Sequence, residues 1–432
     1  MKATIIFLLA ACLAGCGGDP STSSTSSDRT IRLTYWSSQN PNERRLANLL
    51  VDAWNADNPD IQIRLQPIPA GQSSEEVLLA AIAAKTTPDI CSNIWPGIVK
   101  DFVRAGAVLP LSKFADFDSL ATSRFPDGTV ERFGSADGHI YQIPWKTNPI
   151  MMLYNPKMFA EAGIETPPAT YSEYLDAATR VTADLDGDDQ MDRWMGYRDI
   201  RPIWHQRRFD YYTFYVGASG GKTFFEDGEL SLDTAASNIV FSFFRDLYEG
   251  GHFPLTTFQR NPVLSGTIAT VFTGPWEVVW LKDNAPPEFE YEFAPLPRPD
   301  GMSESPYTFG DFKSIAIFSN TEHPEAAWKF VKYLITREAD LQLLEIGGQI
   351  PVRAGLLTDS LYVDFFDHNR KLRQFAEVAP YTRGVDAVSS LQELFDAVAQ
   401  QFEAGAVYRV YEPEEATRRL VKRMKLIHDW GS

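Results

Sequence analysis

An acidic segment, DLDGDDQMD (residues 184–192), carries the pattern most directly tied to a chemistry. Its carboxylates fall at positions 1, 3, 5 and 9 of a calcium-loop pattern: Asp184, Asp186, Asp188 and Asp192. Gln190 would offer its backbone carbonyl at position 7, and hard oxygen ligands in a tight turn suit Ca²⁺. The pattern is incomplete, because Asp189 replaces the glycine of position 6 and Met195 replaces the glutamate of position 12. We predict a structural Ca²⁺ site here, with a solvated acidic turn as the alternative.

A second segment, GASGGKT (217–223), matches parts of two enzyme motifs but lacks their context. Residues 217–221 satisfy G-x-S-x-G, yet the segment that follows indicates a loop and a strand rather than the helix that a nucleophile elbow needs. Residues 221–223 end like a Walker A loop, but Val216 stands where its first glycine is required. The histidines are scattered without zinc-ligand spacing. We therefore predict a glycine turn. Paired glycosidase carboxylates are not excluded by the sequence.

Cys16 stands between an apolar N-terminal run and a stretch of Gly, Ser, Thr and Asp. The run is too short to cross a bilayer and has the length of a signal peptide. LAGC (13–16) resembles the lipobox of bacterial lipoproteins, in which the cysteine is lipidated and becomes the mature N-terminus. We predict a signal peptide over 1–15 and a lipidated Cys16 that opens a flexible linker over 16–30. An ordinary secretory signal is the alternative.

The composition and length bear on the partners, the disulfides and the number of domains. The 432 residues include 40 Lys and Arg against 57 Asp and Glu, a formal net charge of −17, which disfavours nucleic acid and anionic membrane as partners. Of the three cysteines, Cys12 lies in the predicted signal and Cys16 is the predicted anchor, so Cys91 has no partner for an intramolecular disulfide. The length predicts two or more domains.

Periodic segments predict the elements that position these residues. Residues 31–36 alternate as a strand, residues 46–54 recur at helical spacing, and residues 61–65 alternate again. This order predicts a βαβ unit with a parallel sheet, and so an α/β body. Further helix starts are indicated by a capping box at Thr170 and Glu173 and by Pro324 and Pro413.

Four segments, taken together and in their order along the chain, carry a resemblance to a known family: 88–111, 138–178, 273–278 and 324–336. Together they resemble the sugar-type extracellular solute-binding proteins of bacterial ABC importers, the group that contains maltose-binding protein. The resemblance covers nearly the whole mature chain. It implies an α/β, two-lobed periplasmic-binding-protein-like fold (type II), with lobes joined by hinge strands and a ligand cleft that closes between them.

The resemblance also implies where the chain passes between lobes. Crossings are expected near residues 147–149, near 309–313 and near Pro380. The first lobe is then expected to comprise residues 31–147 and 313–379. The second is expected to comprise 148–312 and 380–432.

A sugar presents apolar C–H faces and a rim of hydroxyls, so its site needs flat aromatics and fixed polar groups. The resemblance implies Trp276, in a Thr-Gly-Pro-Trp turn, as a cleft-facing aromatic, with a core position as the alternative. Trp95 follows a strand whose end would point into the cleft, and a core position is equally supported for it.

The remaining candidates for ligand contacts are Trp36, Gln39, Asn40, Trp145, Asn148, Asp210, Tyr211, Asp311 and Arg353. Several of them have an alternative role. Gln39 and Asn40 also suit an ordinary capping turn. Asp210 and Tyr211 lie in RRFDYYTFY, where core packing competes. The charges of Asp311 and Arg353 also suit a solvated surface.

The resemblance implies a lipid-anchored, extracytoplasmic protein in the periplasm or on the outer face of the cytoplasmic membrane. It would capture a sugar or oligosaccharide by hinge closure and deliver it to the permease subunits of an ABC importer. We expect a monomer that is not an enzyme, requires no cofactor, binds no nucleic acid and meets the membrane only through its lipid. The alternatives are a secreted carbohydrate-active enzyme of the glycoside hydrolase kind, and a receptor subunit that reports ligand to a membrane sensor.

Overall fold

The computed structural model describes residues 30–71, 73–226, 228–258, 261–302, 307–386, 388 and 390–431. Cys16, with the predicted signal peptide and the linker up to residue 29, lies outside the described residues. The strands of the described chain are β1 (Ile31–Ser37), β2 (Ile61–Pro67), β3 (Ile90–Ile94), β4 (Ile143–Thr147), β5 (Met151–Tyr154), β6 (Trp194–Gly196), β7 (Phe225–Glu226), β8 (Glu229–Leu230), β9 (Ile268–Thr273), β10 (Glu292–Ala294), β11 (Thr308–Phe309), β12 (Lys313–Ile317), β13 (Ile350–Pro351) and β14 (Thr382–Arg383).

The helices of the described chain are α1 (Pro41–Asp57), α2 (Ser74–Ala84), α3 (Val99–Arg104), α4 (Phe117–Arg124), α5 (Pro156–Glu161), α6 (Tyr171–Val181), α7 (Tyr211–Ala218), α8 (Thr234–Glu249), α9 (Trp276–Asn284), α10 (Pro324–Leu334), α11 (Arg337–Gln342), α12 (Ser360–His368), α13 (Arg370–Val378), α14 (Leu391–Phe402) and α15 (Pro413–Gly431). The predicted helix starts are confirmed. Thr170 and Glu173 form a reciprocal capping box before α6, and α10 and α15 begin at their prolines.

The first lobe is built on a six-stranded sheet in the order β13-β4-β12-β3-β1-β2. Strands β1 and β2 run parallel, with Ile31 opposite Ile61 and Tyr35 opposite Leu65. Helix α1 connects them and buries Leu46, Leu50 and Trp54 against the sheet. The predicted βαβ unit is confirmed, because the apolar period of two in the strands and of 3.6 in the helix bury one face of each.

The second lobe is built on a four-stranded sheet in the order β10-β5-β9-β6. Helices α6, α7 and α8 cover one face of this sheet together with α14 and α15, and they enclose an aromatic-rich core. In this core Phe214 of α7 packs edge-on against Phe272 of β9, with ring centroids 4.7 Å apart. All but one of the eight residues of α7 are buried, so this helix has no polar face.

Short segments carry the chain between the two sheets. The first passes from β4 to β5 through residues 148–150, and a second from β11 to β12 through residues 310–312. The two segments are bridged at Pro149 and Gly310. Strand β14, just after Pro380, pairs in parallel with β11. These three segments meet where the resemblance places the hinge.

One stretch assigned to the first lobe contacts both lobes. Residues 313–379 were expected in the first lobe, and within them α13 contacts β10 of the second sheet as well as β13 of the first. Phe375 meets Phe293 of β10 at 4.8 Å between ring centroids, and Lys371 forms an ion pair of 3.1 Å with Glu292. The apolar faces of α12 and α13 thus belong to a core that contains residues of both lobes, and the boundary between the lobes stays a prediction.

Candidate ligand-binding cleft

A cavity of about 250 Å³ lies between the lobes. The first lobe lines it with the segments that follow β1, β2 and β3, and the second lobe contributes His205. The lining residues are Ser38, Gln39, Asn40, Pro69, Gly71, Ser73, Ser74, Trp95 and His205. Because β1, β2 and β3 are parallel, their carboxyl ends meet at one edge of the sheet and bring these segments together. Of the sequence candidates, Gln39, Asn40 and Trp95 line the cavity.

The polar side chains after β1 are partly occupied by the protein itself. The Gln39 amide donates to the Ile68 carbonyl at 2.6 Å. The Asn40 side-chain oxygen caps α1 by accepting from the backbone N–H of Asn42 at 3.0 Å and of Glu43 at 3.3 Å. The predicted capping turn is therefore present, and the same two side chains remain exposed at the cavity.

Trp95 is held in place by the second crossing segment and by the first residue of β12. Its indole Nε1 donates to Asp311 Oδ1 at 2.7 Å, and Lys313 Nζ forms an ion pair with the same oxygen at 2.7 Å. Lys313 Nζ also lies 4.0 Å from the centre of the indole ring. Burial lowers the pKa of Lys313 to about 8, although Asp311 opposes this shift. The structure thus brings Trp95 and Asp311, two separate candidates, into direct contact.

Arg208 of the second lobe completes this contact, and the sequence analysis did not select it. Its guanidinium carbon lies 3.3 Å from the centre of the Trp95 ring and 4.5 Å from that of Trp204. The side chain is fully buried, and its three nitrogens have no hydrogen-bond partner among the described residues. Burial lowers the pKa of Arg208 to about 10. No sequence pattern distinguishes Arg208 from the adjacent Arg207, which lies in the core.

Two further titratable groups lie at or near the cavity: His205 lines it, and Glu75 follows the lining residue Ser74. Glu75, in the first turn of α2, is 5% exposed and its Oε2 has no hydrogen-bond partner among the described residues. Burial raises the pKa of Glu75, while Lys313 and Arg208 oppose this rise. Burial and the neighbouring Arg208 lower the pKa of His205 to about 4. His205 is therefore neutral near pH 7 and can both donate and accept a hydrogen bond.

Comparison with known proteins adds a decisive match. The sequence profile of the bacterial extracellular solute-binding protein family matches residues 40–340, well over half of the chain. The chain belongs to this family. The predicted family is confirmed, and it is a family of binding proteins.

Individual members of the solute-binding family are more distant. The maltotriose-binding protein of Pyrococcus abyssi is 26% identical over 337 residues, covering 76% of this chain and 68% of that protein. A maltooligosaccharide ABC transporter solute-binding lipoprotein of Streptococcus pneumoniae is 22% identical over 340 residues, covering 72% and 73%. The structure of a Bdellovibrio bacteriovorus maltose/maltodextrin-binding domain bound to maltotriose has a TM-score of 0.74 at 19% identity, covering 92% and 99%. This likeness confirms the predicted two-lobed α/β fold.

Trp276 begins α9 in this solute-binding fold and is half-buried. Its ring packs edge-on against Phe209, with centroids 6.0 Å apart, and lies over Gly274. A Cβ on Gly274 would come within 2.1 Å of the indole, so the glycine of the Thr-Gly-Pro-Trp turn is required by this close approach. Trp276 does not line the cavity described above, and its ligand contact stays a prediction.

Two tryptophan candidates lie in the cores of the first lobe. Trp36 is 8% exposed, packs beside Leu78, and donates its indole N–H to Gln66. Trp145 is 4% exposed and packs in the larger core of the same lobe. Neither reaches the cavity, because each indole lies on a face of the sheet that helices cover. The structure therefore favours a core role for both, and their ligand contacts stay predictions.

The candidates at the hinge and in the aromatic-rich segment are also structural. Asn148 is buried at the first crossing and donates to Gln349 Oε1 at 2.6 Å. Asp210 is buried, caps α7, and pairs with Arg207 at 3.0 Å. Tyr211 is fully buried, with its hydroxyl 2.6 Å from Ser237 Oγ. Their polar atoms have partners within the fold, which favours a structural role, and their ligand contacts stay predictions.

Arg353 is another structural residue rather than a cleft residue. Its Nε donates to Asp340 at 2.5 Å and its Nη2 donates to the Ile335 carbonyl at 2.8 Å. Asp340 is fully buried and also pairs with Arg124. Arg353 therefore belongs to an ion-pair network inside the first lobe, and its ligand contact stays a prediction.

The acidic segment forms a compact turn at the end of α6. One carboxylate oxygen from each of Asp184, Asp186 and Asp188 lies within 4.8 Å of the others, an arrangement that fits a hard cation. Both oxygens of Asp184 also accept backbone N–H groups, from Gly187 at 2.7 Å and Asp189 at 2.8 Å. These hydrogen bonds equally suit a solvated turn.

The other two ligands predicted for this turn lie beside it. The Gln190 amide donates to Asp188 at 3.1 Å, and Asp192 accepts the Leu185 N–H at 2.8 Å. The Ca²⁺ site stays a prediction.

The G-x-S-x-G segment forms the glycine turn that was predicted. Ser219 caps the C-terminus of α7, and Gly220 and Gly221 follow with φ of 69° and 91°. A nucleophile elbow instead requires a serine between a strand and a helix. The arrangement here provides no such geometry.

Proposed function

We propose that this protein captures a sugar or an oligosaccharide between its lobes and delivers it to an ABC importer. The observation that carries the proposal is the cavity between the lobes, which combines the indole of Trp95 with the exposed amides of Gln39 and Asn40 and the neutral His205. An aromatic ring and fixed polar groups are what a sugar requires of its site.

The relatives support the class of ligand and of partner. Their names specify maltotriose and maltooligosaccharides, and one specifies an ABC transporter. In this proposal the lobes close around the ligand by bending at the three hinge segments. The protein acts as a monomer and returns its ligand chemically unchanged.

Thermal-shift screening of the full chain against carbohydrates tests this proposal. The panel contains maltotriose, longer maltooligosaccharides, and unrelated oligosaccharides and monosaccharides. A true ligand at about 100 times its dissociation constant stabilises the fold by about 2.7 kcal/mol. The Trp95→Ala variant should lose this stabilisation, whereas Leu49→Ala, at an exposed position of α1, should keep it. A panel without any stabilising carbohydrate would contradict the proposal. Product formation during incubation would instead favour the carbohydrate-active enzyme.

We further infer that Cys16 carries a lipid anchor outside the cytoplasm. The lipobox-like LAGC and the polar stretch after it support this inference, as does the name of the lipoprotein relative. In the part of the chain that the structure describes, none of the helices has the length and apolar character needed to span a bilayer. Changing Cys16 to Ser should release the protein from the membrane fraction and leave its melting temperature unchanged. Wild-type protein without an acyl group on Cys16 would contradict the anchor.

A further inference from the structure

A second cavity, of about 320 Å³, lies beside the hinge and shares none of its described lining residues with the cavity between the lobes. Each passage of the chain between the sheets contributes to its wall. Ile150 belongs to the first crossing segment, Thr308 begins the strand before the second, and Tyr381 directly precedes β14. Helices α7 and α13 and the segment after β10 provide the other sides. We call this space the hinge cavity, since its shape depends on how these three segments meet.

The wall of the hinge cavity is largely apolar. Buried Met151, Phe214 and Phe293 line it, together with prolines and aliphatic side chains. The exposed lining residues Pro295 and Tyr381 mark a side on which it opens to solvent. An apolar cavity of about 150 Å³ accommodates benzene. The hinge cavity therefore has room for a molecule with two fused rings.

One polar group of the wall lacks a hydrogen-bond partner among the described residues. Thr308 Oγ1 donates to the Ile150 carbonyl at 2.8 Å, and Thr213 Oγ1 donates to the Arg208 carbonyl at 2.6 Å. Gln374 of α13, by contrast, has a buried Oε1 without such a partner. A buried acceptor that stays unpaired is unfavourable. The terminal torsion of a glutamine side chain is soft, so a small rotation turns this oxygen toward the cavity that the side chain lines.

The two charged side chains of the wall already have partners. Arg298 Nε donates to the Met302 carbonyl at 3.0 Å, and Glu377 Oε1 accepts from Arg373 Nε at 3.1 Å. A molecule in the cavity thus needs no charge of its own to satisfy them. The open requirement of the wall is a single donor for Gln374.

We propose that the hinge cavity is a second ligand site, which takes a small, uncharged and largely apolar molecule of two fused rings with one hydrogen-bond donor. The rings are buried against the apolar wall, and the donor pairs with Gln374 Oε1. A sugar does not fit this site, because most of its hydroxyls would lose water without gaining partners. The site therefore differs in chemistry from the cavity between the lobes, and it goes beyond the proposed function.

Indole and benzothiophene test the role of the donor. The two fused-ring molecules have nearly the same shape, but only indole has an N–H group. Calorimetric titration of the full chain should give a dissociation constant about fivefold lower for indole, which corresponds to one hydrogen bond. Gln374→Leu should remove this difference while both probes still bind. Gln401→Leu, the same change at another buried and unpartnered amide oxygen, on α14, should keep it.

A bulky substitution tests where the probes bind. Leu296→Trp adds a large ring at a half-buried position of the wall and should abolish the binding of both probes. Leu49→Trp, at an exposed position of α1, should bind them like the wild type. Melting temperatures show that each variant is folded, and Gln374→Leu should be at least as stable as the wild type because it removes an unpaired acceptor. The proposal is overturned if neither probe binds the wild type, or if Gln374→Leu retains the preference for indole.

The position of the cavity has a consequence that rests on the proposed function. A molecule that binds the described arrangement, in which the lobes are in contact, favours it over one with the lobes apart. Saturating indole should therefore tighten the binding of the carbohydrate with the largest thermal shift by about fivefold or more. Unchanged carbohydrate affinity would overturn the coupling to the hinge, and displacement of the carbohydrate by indole would overturn the second site. Failure of every carbohydrate would overturn the proposed function, while the indole titrations still decide the site.

Discussion

The two lobes contribute to the cavity in different ways. The first lobe provides three segments that follow parallel strands of one sheet, and these meet because the sheet aligns their carboxyl ends. The second lobe provides one short turn, Trp204–Arg208, at the edge of an aromatic core. Residues within this turn and just after it differ sharply in role, since Arg208 contacts Trp95 of the other lobe while Arg207 pairs with Asp210 inside the core. In the first lobe, the order of the strands therefore determines which residues reach the cleft. In the second lobe, the direction in which each residue of one turn faces determines it.

The largest effect on stability is expected at Asp210, which pairs with Arg207 of this turn inside the core. Asp210→Ala removes the partner of Arg207 and leaves a buried cation, which should cost about 3–5 kcal/mol in the free energy of unfolding. Denaturant unfolding measures it. Asp176→Ala, which breaks an exposed ion pair with Arg180, is the control and should change stability by less than about 1 kcal/mol. A stable Asp210→Ala protein with lost ligand binding would return Asp210 to the cleft.

A smaller effect is expected where the lobes touch at Gly97. A Cβ there would lie 2.9 Å from the Asp386 carbonyl and 2.9 Å from Leu391 of the second lobe. Gly97→Ala should therefore disfavour the closed state by about 1–3 kcal/mol and weaken ligand binding by about tenfold or more, without strain in the open state. Titration calorimetry measures the affinity, and Lys100→Ala, at an exposed position nearby, should match the wild type. Equal affinity in both variants would mean that the lobes do not meet in the bound protein.

The acidic turn, remote from both faces of the cleft, gives a smaller expected effect. If it holds Ca²⁺, calcium at about five times its dissociation constant should stabilise the wild type by about 1 kcal/mol, and a chelator should remove this gain. Asp186→Asn should abolish the response, whereas Asp137→Asn, at an unrelated exposed site, should not. Identical melting curves with calcium and with chelator would leave a solvated acidic turn.

The last expected effect depends on pH and concerns the neutral His205 at the cavity, where it is smallest near pH 6.5. Its pKa is about 4 in the fold against 6.5 for an ordinary histidine, so below pH 6.5 the unfolded chain takes up the proton more readily. Stability should consequently fall as the pH drops from 6.5 toward 4. His205→Gln should fall less steeply across this window in thermal unfolding, while the exposed His323→Gln should follow the wild type. Parallel curves for wild type and His205→Gln would mean that His205 is not buried between the lobes.

Features that follow from local periodicity could be predicted from the sequence. The βαβ unit, the capping box at Thr170 and the position of Trp95 after β3 all follow from alternation, helical spacing or a strand end. The burial of Asp210 and Tyr211 was not predictable from their residue types, because α7 is enclosed on all sides by tertiary packing. Arg208 was missed for a related reason. Which of two adjacent arginines faces the other lobe depends on the exact phase of the turn.

The domain boundary shows the same limit. The amphipathic pattern of α12 and α13 indicates that each helix buries one face. This pattern does not indicate which of the two sheets the buried face packs against. The contact of Phe375 with Phe293 places α13 against β10 of the second sheet, and these two residues are far apart in the sequence.

Small-angle X-ray scattering of the full chain, with and without a saturating carbohydrate from the thermal-shift screen, tests the central claim most directly. The structure has its lobes in contact, with Arg208 against Trp95 and Gly97 against Leu391. The account predicts that the ligand lowers the radius of gyration and brings the scattering curve to the one calculated from this structure. Saturating ligand that leaves the radius of gyration unchanged, or raises it, would contradict binding by closure of the two lobes.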